Sequence, residues 1–342
     1  MIEIITYHKS TNYGALIQSL SLKEFVEEKT KQQVRMCEFH PKKLIFAEFY
    51  RPLITKKINK LIQTIKKNIE IYNWYIEAFK NNHSSQKKIL SIYGSDEIWN
   101  FKNAYHGYNS FYFGNDNDHP KISYAASIGK SSFSDLDNKI QNEISINLKK
   151  FKNISVRDIN TYNFIEKLIG IKPDLVLDPT LIHTPNILNQ KKFIKFKIDE
   201  KYLVVYGTVF NQKQKQIIND FAQQKNLKII SVGYFNNWIK KNYLGLNPTN
   251  FIDIIKNSSY VFTSMFHGVM FSLKFSKQFY LSIDPIRKNK LETIINVLKL
   301  NDRIFQDHIQ NGEIDYDNIS EKLNQMIATS QQTLINYLYE FI

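Results

Sequence analysis

Several features are scarce or missing in this 342-residue sequence, and each absence excludes a class of protein. Cys37 is the single cysteine, so the chain has neither an intrachain disulfide framework nor a structural zinc site made of thiolates. No apolar run approaches the roughly 20 residues that span a bilayer. Residues 1–6 turn polar too early for a signal peptide. We therefore expect a soluble protein of a reducing compartment, the cytoplasm.

The motifs of several large protein classes are also missing. The chain contains no GxxxxGK[ST] phosphate loop, no GxGxxG after a predicted strand, no HExxH zinc motif and no GxSxG nucleophile elbow. It shows no signature of an RNA-recognition, KH or helix-turn-helix domain. A nucleic-acid partner is therefore not expected, although lysine and arginine are abundant.

What the sequence does contain is apolar content and positive charge. Hydrophobic residues make up 43% of the chain and aromatic residues 14%, which is enough for ordinary globular cores. Lysine and arginine number 46 against 32 aspartates and glutamates, a formal net charge of +14. Such an excess calls for an anionic partner, and the length favours two domains.

Short apolar runs alternate with helical patterns along the chain, which is typical of an α/β protein with mostly parallel sheets. The pattern restarts after Pro185, with a strand at Tyr202–Tyr206 and a helix at Gln212–Gln224. We predict two Rossmann-like lobes, residues 1–184 and 185–342, that face each other across a cleft. The stretch 317–342 is mainly helical, and we expect it to pack back on the first lobe.

Residues 51–80 differ from the rest in their charge. Apolar residues recur there at roughly helical spacing, and the charged residues are almost all basic. The cations are Arg51, Lys56, Lys57, Lys60, Lys66, Lys67 and Lys80, and the acids are Glu70 and Glu77. The segment is either a helix with a solvated basic face or a helix that lies on anionic lipid headgroups.

Four predicted strands of the first lobe end in clusters of small or charged residues. The clusters are 94–100, 127–129, 157–158 and 178–180. Binding groups of α/β sheets sit at the carboxyl ends of strands. Asp96, with Trp99 behind it in the cleft, is either a general acid or base or a helix cap. Arg157 either holds a carboxylate or phosphate or pairs internally with Asp158 or Asp178.

One histidine lies where a predicted strand turns into a helix. Thr263 ends the strand and Gly268 opens the helix, so backbone N–H groups and the helix dipole meet at the turn 264–268. We expect Ser264 and Gly268 to bind an anion there, the glycine because it has no Cβ. His267 either donates a proton or hydrogen bond to that anion or caps the turn.

The loop after the first predicted strand adds polar residues to the predicted cleft. Asn12, Tyr13 and Gly14 precede a helix N-terminus and provide either an anion or sugar contact or a plain helix cap. His8 is expected to face the same cleft. These residues are assigned to the acceptor side.

Two aspartate pairs resemble the DxD motif of metal-dependent sugar transfer. They are Asp116 with Asp118 and Asp135 with Asp137, and both lie in loops rich in Asn, Asp and Ser. Such pairs are frequent by chance, so no metal site is expected.

Taken in order along the chain, these clusters resemble the motifs of the polysaccharide pyruvyl transferase family. They read NYGALIQ at 12–18, GSDEIWN at 94–100, SYAASIG at 123–129, ISVRD at 154–158, LDPTL at 177–181 and FHGVMFS at 266–272. The six motifs keep their order over most of the chain, which makes the match fairly specific. Glu97 stands where relatives often have glutamine, and Met265 where some carry arginine.

The resemblance implies a fold similar to the two-lobed GT-B glycosyltransferases. It implies an enzyme that moves a pyruvyl group from phosphoenolpyruvate to a sugar of a cell-surface polysaccharide or its lipid-linked precursor, forming a cyclic ketal and phosphate. Phosphoenolpyruvate is then a co-substrate, and no cofactor is expected. Family roles match best at Arg157 and His267, as contacts to the donor's carboxylate or phosphate.

The residues fit this chemistry by type. The donor carries two anionic groups, and its C3 must gain a proton while a sugar hydroxyl attacks C2, which needs an acid and a base. We assign catalysis to His267 and Asp96, and donor binding to Arg157, Ser264 and Gly268. The second lobe is then the donor side.

An alternative on the same fold is a glycosyltransferase that uses a nucleotide-activated sugar, and Met265 in place of a phosphate-binding cation favours it. With either donor, the net charge of +14 fits an acidic or lipid-diphosphate-linked glycan acceptor at the inner membrane face. Peripheral contact with an anionic membrane is expected to involve residues 51–80.

Overall fold

The structure, a computed structural model, describes residues 1–80, 82, 86–115, 119–190, 193, 197–283, 288–310 and 312–342, with residues 288–290 described by their backbone alone. The first lobe contains a parallel sheet. Its strands are β1 (Ile2–Ile5), β2 (Val34–Met36), β3 (Leu90–Tyr93), β4 (Lys121–Ala126), β5 (Asn153–Val156) and β6 (Asp174–Leu175). They lie in the order β2-β1-β3-β4-β5-β6. Strands β1 and β3 are buried along their whole length, as is usual in the middle of a parallel sheet.

The second lobe contains another parallel sheet. Its strands are β7 (Tyr202–Tyr206), β8 (Lys228–Val232), β9 (Lys241–Tyr243), β10 (Tyr260–Thr263) and β11 (Gln278–Leu281). They lie in the order β11-β10-β7-β8-β9. The chain therefore reverses its direction of travel between β7 and β10 here, and between β1 and β3 in the first sheet. Ligands of α/β folds bind at such switch points.

Helices connect the strands. In the first lobe they are α1 (Tyr13–Thr30), α2 (Lys42–Ile45), α3 (Ile58–Ala78), α4 (Asn138–Leu148), α5 (Ile159–Ile169) and α6 (Pro179–Ile182). After the break they are α7 (Gln212–Gln224), α8 (Pro248–Asn257), α9 (Phe266–Lys274), α10 (Lys288–Val297) and α11 (Tyr316–Tyr339). The predicted α/β fold of two lobes is confirmed.

Side-chain caps fix where many of these helices begin. At each such position an Asn or Asp oxygen accepts a backbone N–H from the first turn, which would otherwise lack an intrahelical partner. The capping residues include Asn12, Asp137, Asp158, Asn211, Asn247 and Asp315. The chain is thus turned into its helices at defined residues.

Helix α1 joins the two lobes through its first residue. Tyr13 is buried, and its hydroxyl donates to the carbonyls of Leu244 (2.7 Å) and Leu246 (3.0 Å) in the second lobe. Its ring stacks on Phe251 with 4.3 Å between centroids. Tyr13 therefore acts as an interlobe contact rather than as a ligand contact.

Helix α3, within the basic segment, also contacts the second lobe. The Trp74 indole donates to Thr249 Oγ1 (3.2 Å), and the Leu244 N–H donates to Gln63 Oε1 (3.2 Å). The helix begins only at Ile58, after a 3₁₀ turn at residues 51–53 that contains Pro52 and an extended N-cap residue, Lys57.

Helix α11 packs on the first lobe, although it follows the second in sequence. The Leu177 N–H donates to Ser330 Oγ (2.9 Å), and the Tyr337 hydroxyl donates to the Ile154 carbonyl (3.3 Å). Leu334 and Leu338 are fully buried there. Within the described ranges, no helix is long and apolar enough to cross a membrane.

Candidate functional site

A cavity of about 540 Å³ lies between the lobes. Its first-lobe wall includes Asn12, which follows β1, Asp96, which follows β3, and Arg157, which follows β5. Its second-lobe wall includes Ser264 and His267, which follow β10. The cavity therefore lies at the carboxyl ends of both sheets, beside both switch points.

Arg157 is the centre of a buried ionic cluster on this wall. Its Nη1 donates to Asp178 Oδ2 (2.8 Å) and its Nη2 donates to Asp96 Oδ1 (3.1 Å). The guanidinium also stacks on the Phe266 ring, 4.3 Å from its centroid. Burial disfavours the charged guanidinium, but the neighbouring carboxylates outweigh this and raise the pKa of Arg157. Of the two interpretations of Arg157, internal pairing is therefore realised.

Asp158 does not pair with Arg157 in this way, because its carboxylate caps the N-terminus of α5. It accepts from the Thr161 N–H (2.8 Å) and from Ser127 Oγ (2.7 Å). Burial is the main cause that raises the pKa of Asp158. Asp158 is thus a helix cap beneath the wall.

Asp178 connects Arg157 to His267. His267 Nε2 lies 3.7 Å from Asp178 Oδ2, just beyond hydrogen-bond distance. The other Asp178 oxygen accepts from Thr180 Oγ1 (2.8 Å) and the Thr180 N–H (3.1 Å). Burial alone would raise the pKa of Asp178, but His267 and Arg157 together hold it well below its usual range. The carboxylate is therefore charged, and it lies between the Arg157 guanidinium and the His267 imidazole.

Gly14 makes room for His267. A Cβ at Gly14 would overlap the His267 ring, so the first turn of α1 and the first turn of α9 touch through this pair. The position of His267 relative to the first lobe thus depends on a glycine.

Asp96 reaches the cavity from an unusual backbone conformation. Its φ of +78° lies in the left-handed region, which is costly for aspartate and occurs often at functional sites. Its side chain is partly exposed to the cavity, and Oδ1 also accepts from the Glu97 N–H (2.9 Å). Residues 97–109 form turns and loop, so the interpretation of Asp96 as a helix cap is wrong.

Four residues assigned to the cleft do not line the cavity, namely Gly14, which packs against the His267 ring, and three residues with aromatic rings. His8 is fully buried, with its Nδ1 3.2 Å from the Thr6 carbonyl and its ring stacked on Tyr75. Trp99 is also fully buried, and its indole donates to the Tyr112 carbonyl (2.8 Å). Tyr13 is the interlobe contact. Aromatic bulk places all three in cores or interfaces.

Gly268 requires a correction. The space that its missing Cβ leaves is filled by the Thr263 side chain, and its N–H donates to the Met265 carbonyl (3.1 Å). The glycine therefore allows close packing of β10 on α9, and does not open a path for an anion. Ser264 does line the cavity.

Glu48 and Tyr7 are among the cavity residues that the sequence does not predict. Glu48 lines the cavity and accepts the Thr11 N–H (2.7 Å), and burial raises the pKa of its carboxyl. Tyr7 lines it too, with its hydroxyl 2.6 Å from His106 Nε2. Glu48 is the one acidic residue between Glu38 and Glu70, a signal that could have singled it out.

The described residues contain no group of three or more His, Cys, Asp or Glu that could hold a metal ion. Asp116 and Asp118 lie outside the described residues. Asp135 pairs with Lys102 (2.9 Å), and Asp137 caps α4. The second DxD pair is thus used structurally.

Two facing parallel sheets with a polar cavity at their carboxyl ends, and a final helix that returns to the first lobe, define a protein of the GT-B class. The S. aureus MnaA–UDP co-structure matches 100% of this chain and 98% of its own, at 10% identity and a TM-score of 0.51. UDP-GlcNAc 2-epimerase from Neisseria meningitidis, bound to UDP-GlcNAc, matches 99% of each chain, at 9% identity and a TM-score of 0.50. At these identities the likeness shows the fold alone.

Within that class the family is given by the sequence. The family model for polysaccharide pyruvyl transferase matches residues 12–284, which is most of the chain. The protein therefore belongs to the polysaccharide pyruvyl transferase family, as the motifs predict. No curated protein matches the sequence.

Proposed function

We propose that the protein transfers a pyruvyl group from phosphoenolpyruvate to two hydroxyls of one sugar in a cell-surface polysaccharide or its precursor. The observation that carries this proposal is the linked cluster of Asp96, Arg157, Asp178 and His267 on the cavity wall. The cavity thus holds a partly exposed carboxylate, Asp96, and a histidine that lies beside a second carboxylate, and the reaction needs an acid and a base of these types.

The atoms balance in two steps. The first sugar hydroxyl adds to C2 of the donor, and C3 gains a proton to become a methyl group. The second hydroxyl then replaces phosphate at C2, which closes the ketal and releases inorganic phosphate with the proton. One proton must therefore be accepted and one donated near C2.

We assign the acceptor hydroxyls to Asp96 and the phosphate side to His267. His267 is suited to the phosphate side because its imidazole lines the cavity with Nε2 3.7 Å from Asp178 Oδ2, and an imidazole can donate a proton or a hydrogen bond. Ser264 and the first-turn N–H groups of α9 then meet the donor's anionic groups. Arg157 acts mainly by positioning, since both of its terminal nitrogens already bond carboxylates.

A phosphate-release assay with a purified surface glycan tests these roles. His267→Ala and Asp96→Ala are each expected to slow turnover by roughly 10²–10⁴. His308→Ala, at an exposed histidine that does not line the cavity, is the matched control and is expected to keep its rate. Near-wild-type turnover in both cavity variants contradicts the assignment.

The choice of donor is tested by thermal shift. Phosphoenolpyruvate is expected to raise the melting temperature, since a ligand that binds only the folded state stabilises it by mass action. Stabilisation by UDP, GDP or CMP but not by phosphoenolpyruvate would instead favour sugar transfer. Mass spectrometry of the native glycan, with and without the protein, separates a pyruvate ketal from an added hexose.

The acceptor we propose is an acidic or lipid-diphosphate-linked glycan at the cytoplasmic face of the inner membrane. The support is the net charge of +14, which favours association with anionic partners.

A further inference from the structure

Helix α3 carries an apolar stripe on the side that faces away from the protein. Its members recur at alternating intervals of four and three residues, so they line up along one side of the helix. They are Ile58, Ile62, Ile65, Ile69, Tyr72 and Ile76, and all six are exposed. The buried residues of α3, Thr64, Ile71 and Trp74, lie on the opposite side.

The stripe replaces the solvated basic face that the sequence allows. Lys67 turns inward, donates to the Gly233 carbonyl (3.1 Å) and lies over the Tyr13 ring. Burial lowers the pKa of Lys67 to about 8. Lys57 donates to Asn237 Oδ1 (2.7 Å) in the second lobe. Lys67 and Lys57 thus contact the second lobe, and the outward face of α3 carries mainly isoleucine.

The apolar surface continues into the segment before α3. Phe46, Tyr50 and Ile54 are exposed, and the Phe46 and Tyr50 rings stack with 6.1 Å between centroids. The Asn68 amide donates to the Phe49 carbonyl (2.9 Å) and so ties this segment to α3. We name the nine exposed side chains the α3 patch. A contiguous exposed apolar surface of this kind marks an interaction site.

Positive charge surrounds the α3 patch. The exposed cations around it in sequence are Lys42, Lys43, Arg51, Lys56, Lys57 and Lys66. Glu48 is the single acid from residue 39 to residue 69, and it turns inward to the Thr11 N–H and the cavity. An anionic lipid surface complements this combination of apolar and basic groups. A second copy of the same basic surface does not, since like charges repel.

We propose that the α3 patch is the surface by which the protein lies on an anionic lipid layer, with α3 in the plane of the headgroups. Leu44 and Glu48 belong to the same segment as Phe46 and Tyr50, and they line the cavity. The cavity therefore opens beside the lipid, which names the acceptor class as a glycan carried on a lipid. This last step rests on the proposed function.

Vesicle co-sedimentation of the full chain tests the surface. Wild type is expected to sediment with vesicles of phosphatidylglycerol and phosphatidylcholine, and much less with phosphatidylcholine alone. Ile69→Asp is expected to lower the partition coefficient by roughly tenfold or more. Ile146→Asp on α4 is the matched control, because Ile146 is 52% exposed and Ile69 54%. Equal binding by wild type and Ile69→Asp, or equal loss in both variants, overturns the proposal.

A gain-of-signal pair gives a second readout. Ile69→Trp is expected to show a blue shift in tryptophan emission when the phosphatidylglycerol vesicles are added, and Ile146→Trp is expected to show none. No shift at position 69 overturns the proposal. So does a dimer of the wild type, seen by sedimentation velocity without lipid, that Ile69→Asp dissociates, because a second copy would then cover the patch.

The outcomes separate this proposal from the proposed function. The melting-temperature shift with phosphoenolpyruvate is expected to be the same for wild type and Ile69→Asp. A chain that responds to phosphoenolpyruvate but does not bind vesicles defeats the lipid proposal and leaves the function standing. A chain that binds vesicles through Ile69 but transfers no pyruvyl group defeats the proposed function and leaves the lipid surface standing.

Discussion

The cavity wall and the α3 patch depart in opposite ways from the usual distribution of residues. At the wall, Arg157 and Asp178 are charged and buried. On the patch, isoleucines are exposed along the whole of a 21-residue helix. Proteins seldom bury charges unless they are paired, and seldom expose large contiguous apolar surfaces.

The two regions differ in how far the protein itself compensates each departure. The carboxylate of Asp178 has Arg157, Thr180 and His267 around it, so the charge of this buried carboxylate is compensated before any ligand arrives. The exposed isoleucines of α3 meet water. A pre-organised site is complete in the free protein, whereas a docking surface is completed by its partner.

The largest effect is expected when the buried ion pair on the cavity wall is broken. Asp178→Ala leaves Arg157 buried without its main partner, which is expected to lower the free energy of unfolding by about 3–5 kcal/mol. Urea denaturation at pH 7 measures it. Asp220→Ala, at an exposed position on α7, is the control and should change stability by less than about 0.5 kcal/mol. A comparable small loss for Asp178→Ala would show that the wall does not depend on this pair.

A second variant tests the cavity wall by a change of side-chain volume rather than of charge. Gly14→Ala places a methyl group where the His267 ring lies, and overpacking of this kind costs about 1–3 kcal/mol. The displaced histidine should also slow phosphate release. Gln223→Ala, at an exposed position of α7, is the control and is expected to keep both stability and rate. Full activity in Gly14→Ala would refute the contact between the lobes.

His8 tests burial of an ionisable group that lacks an ionic partner. Burial is the main cause that lowers the pKa of His8 from 6.5 to about 3, and His40 adds to it. The unfolded chain then binds a proton that the native protein does not. Stability is therefore fully present above pH 6.5 and falls as the pH drops toward 3, with a slope of up to about 1.4 kcal/mol per pH unit from this group. His8→Phe should remove that slope in urea titrations between pH 6.5 and 4, and an unchanged slope would contradict the burial.

The smallest effect on stability is expected on the α3 patch. Ile69→Asp should alter the free energy of unfolding by less than about 0.5 kcal/mol, because the Ile69 side chain is exposed to solvent. Ile71→Asp, two residues along but buried, should cost several times more, because it places a charge in a core. Similar losses in both variants would mean that the patch is part of the folding core.

Much of the second lobe follows directly from its pattern. Strand β7 and helix α7 begin and end at the predicted residues, because an unbroken apolar run and an Asn cap leave little choice of boundary. Strand β9 is missed by the same reasoning. Its three residues, Lys241–Tyr243, are polar or half-exposed, so an edge position makes it a strand rather than its composition.

The wall of the site could be predicted in part. Arg157 and Asp178 follow adjacent parallel strands, so their proximity comes from topology that the sequence predicts. Which group fills the space beside a glycine cannot be predicted in this way. Gly268 accommodates Thr263 and Gly14 accommodates His267, while the sequence alone allows a ligand at either place. The direction of the α3 patch was open for a similar reason, since only contacts such as Trp74 to Thr249 decide which side of the helix is covered.

Helix α11 has a consequence for biosynthesis. Its buried Leu334 and Leu338 complete the first lobe, yet they follow the whole second lobe in the chain. When residues 1–182 have left the ribosome, the surface around Leu177 still lacks Ser330 and the leucines that cover it. The first lobe therefore waits, with apolar surface uncovered, while more than a hundred further residues are translated. Maturation of the two halves is for that reason a single event, and a fragment cut at the lobe boundary is expected to need a chaperone or the α11 peptide in trans.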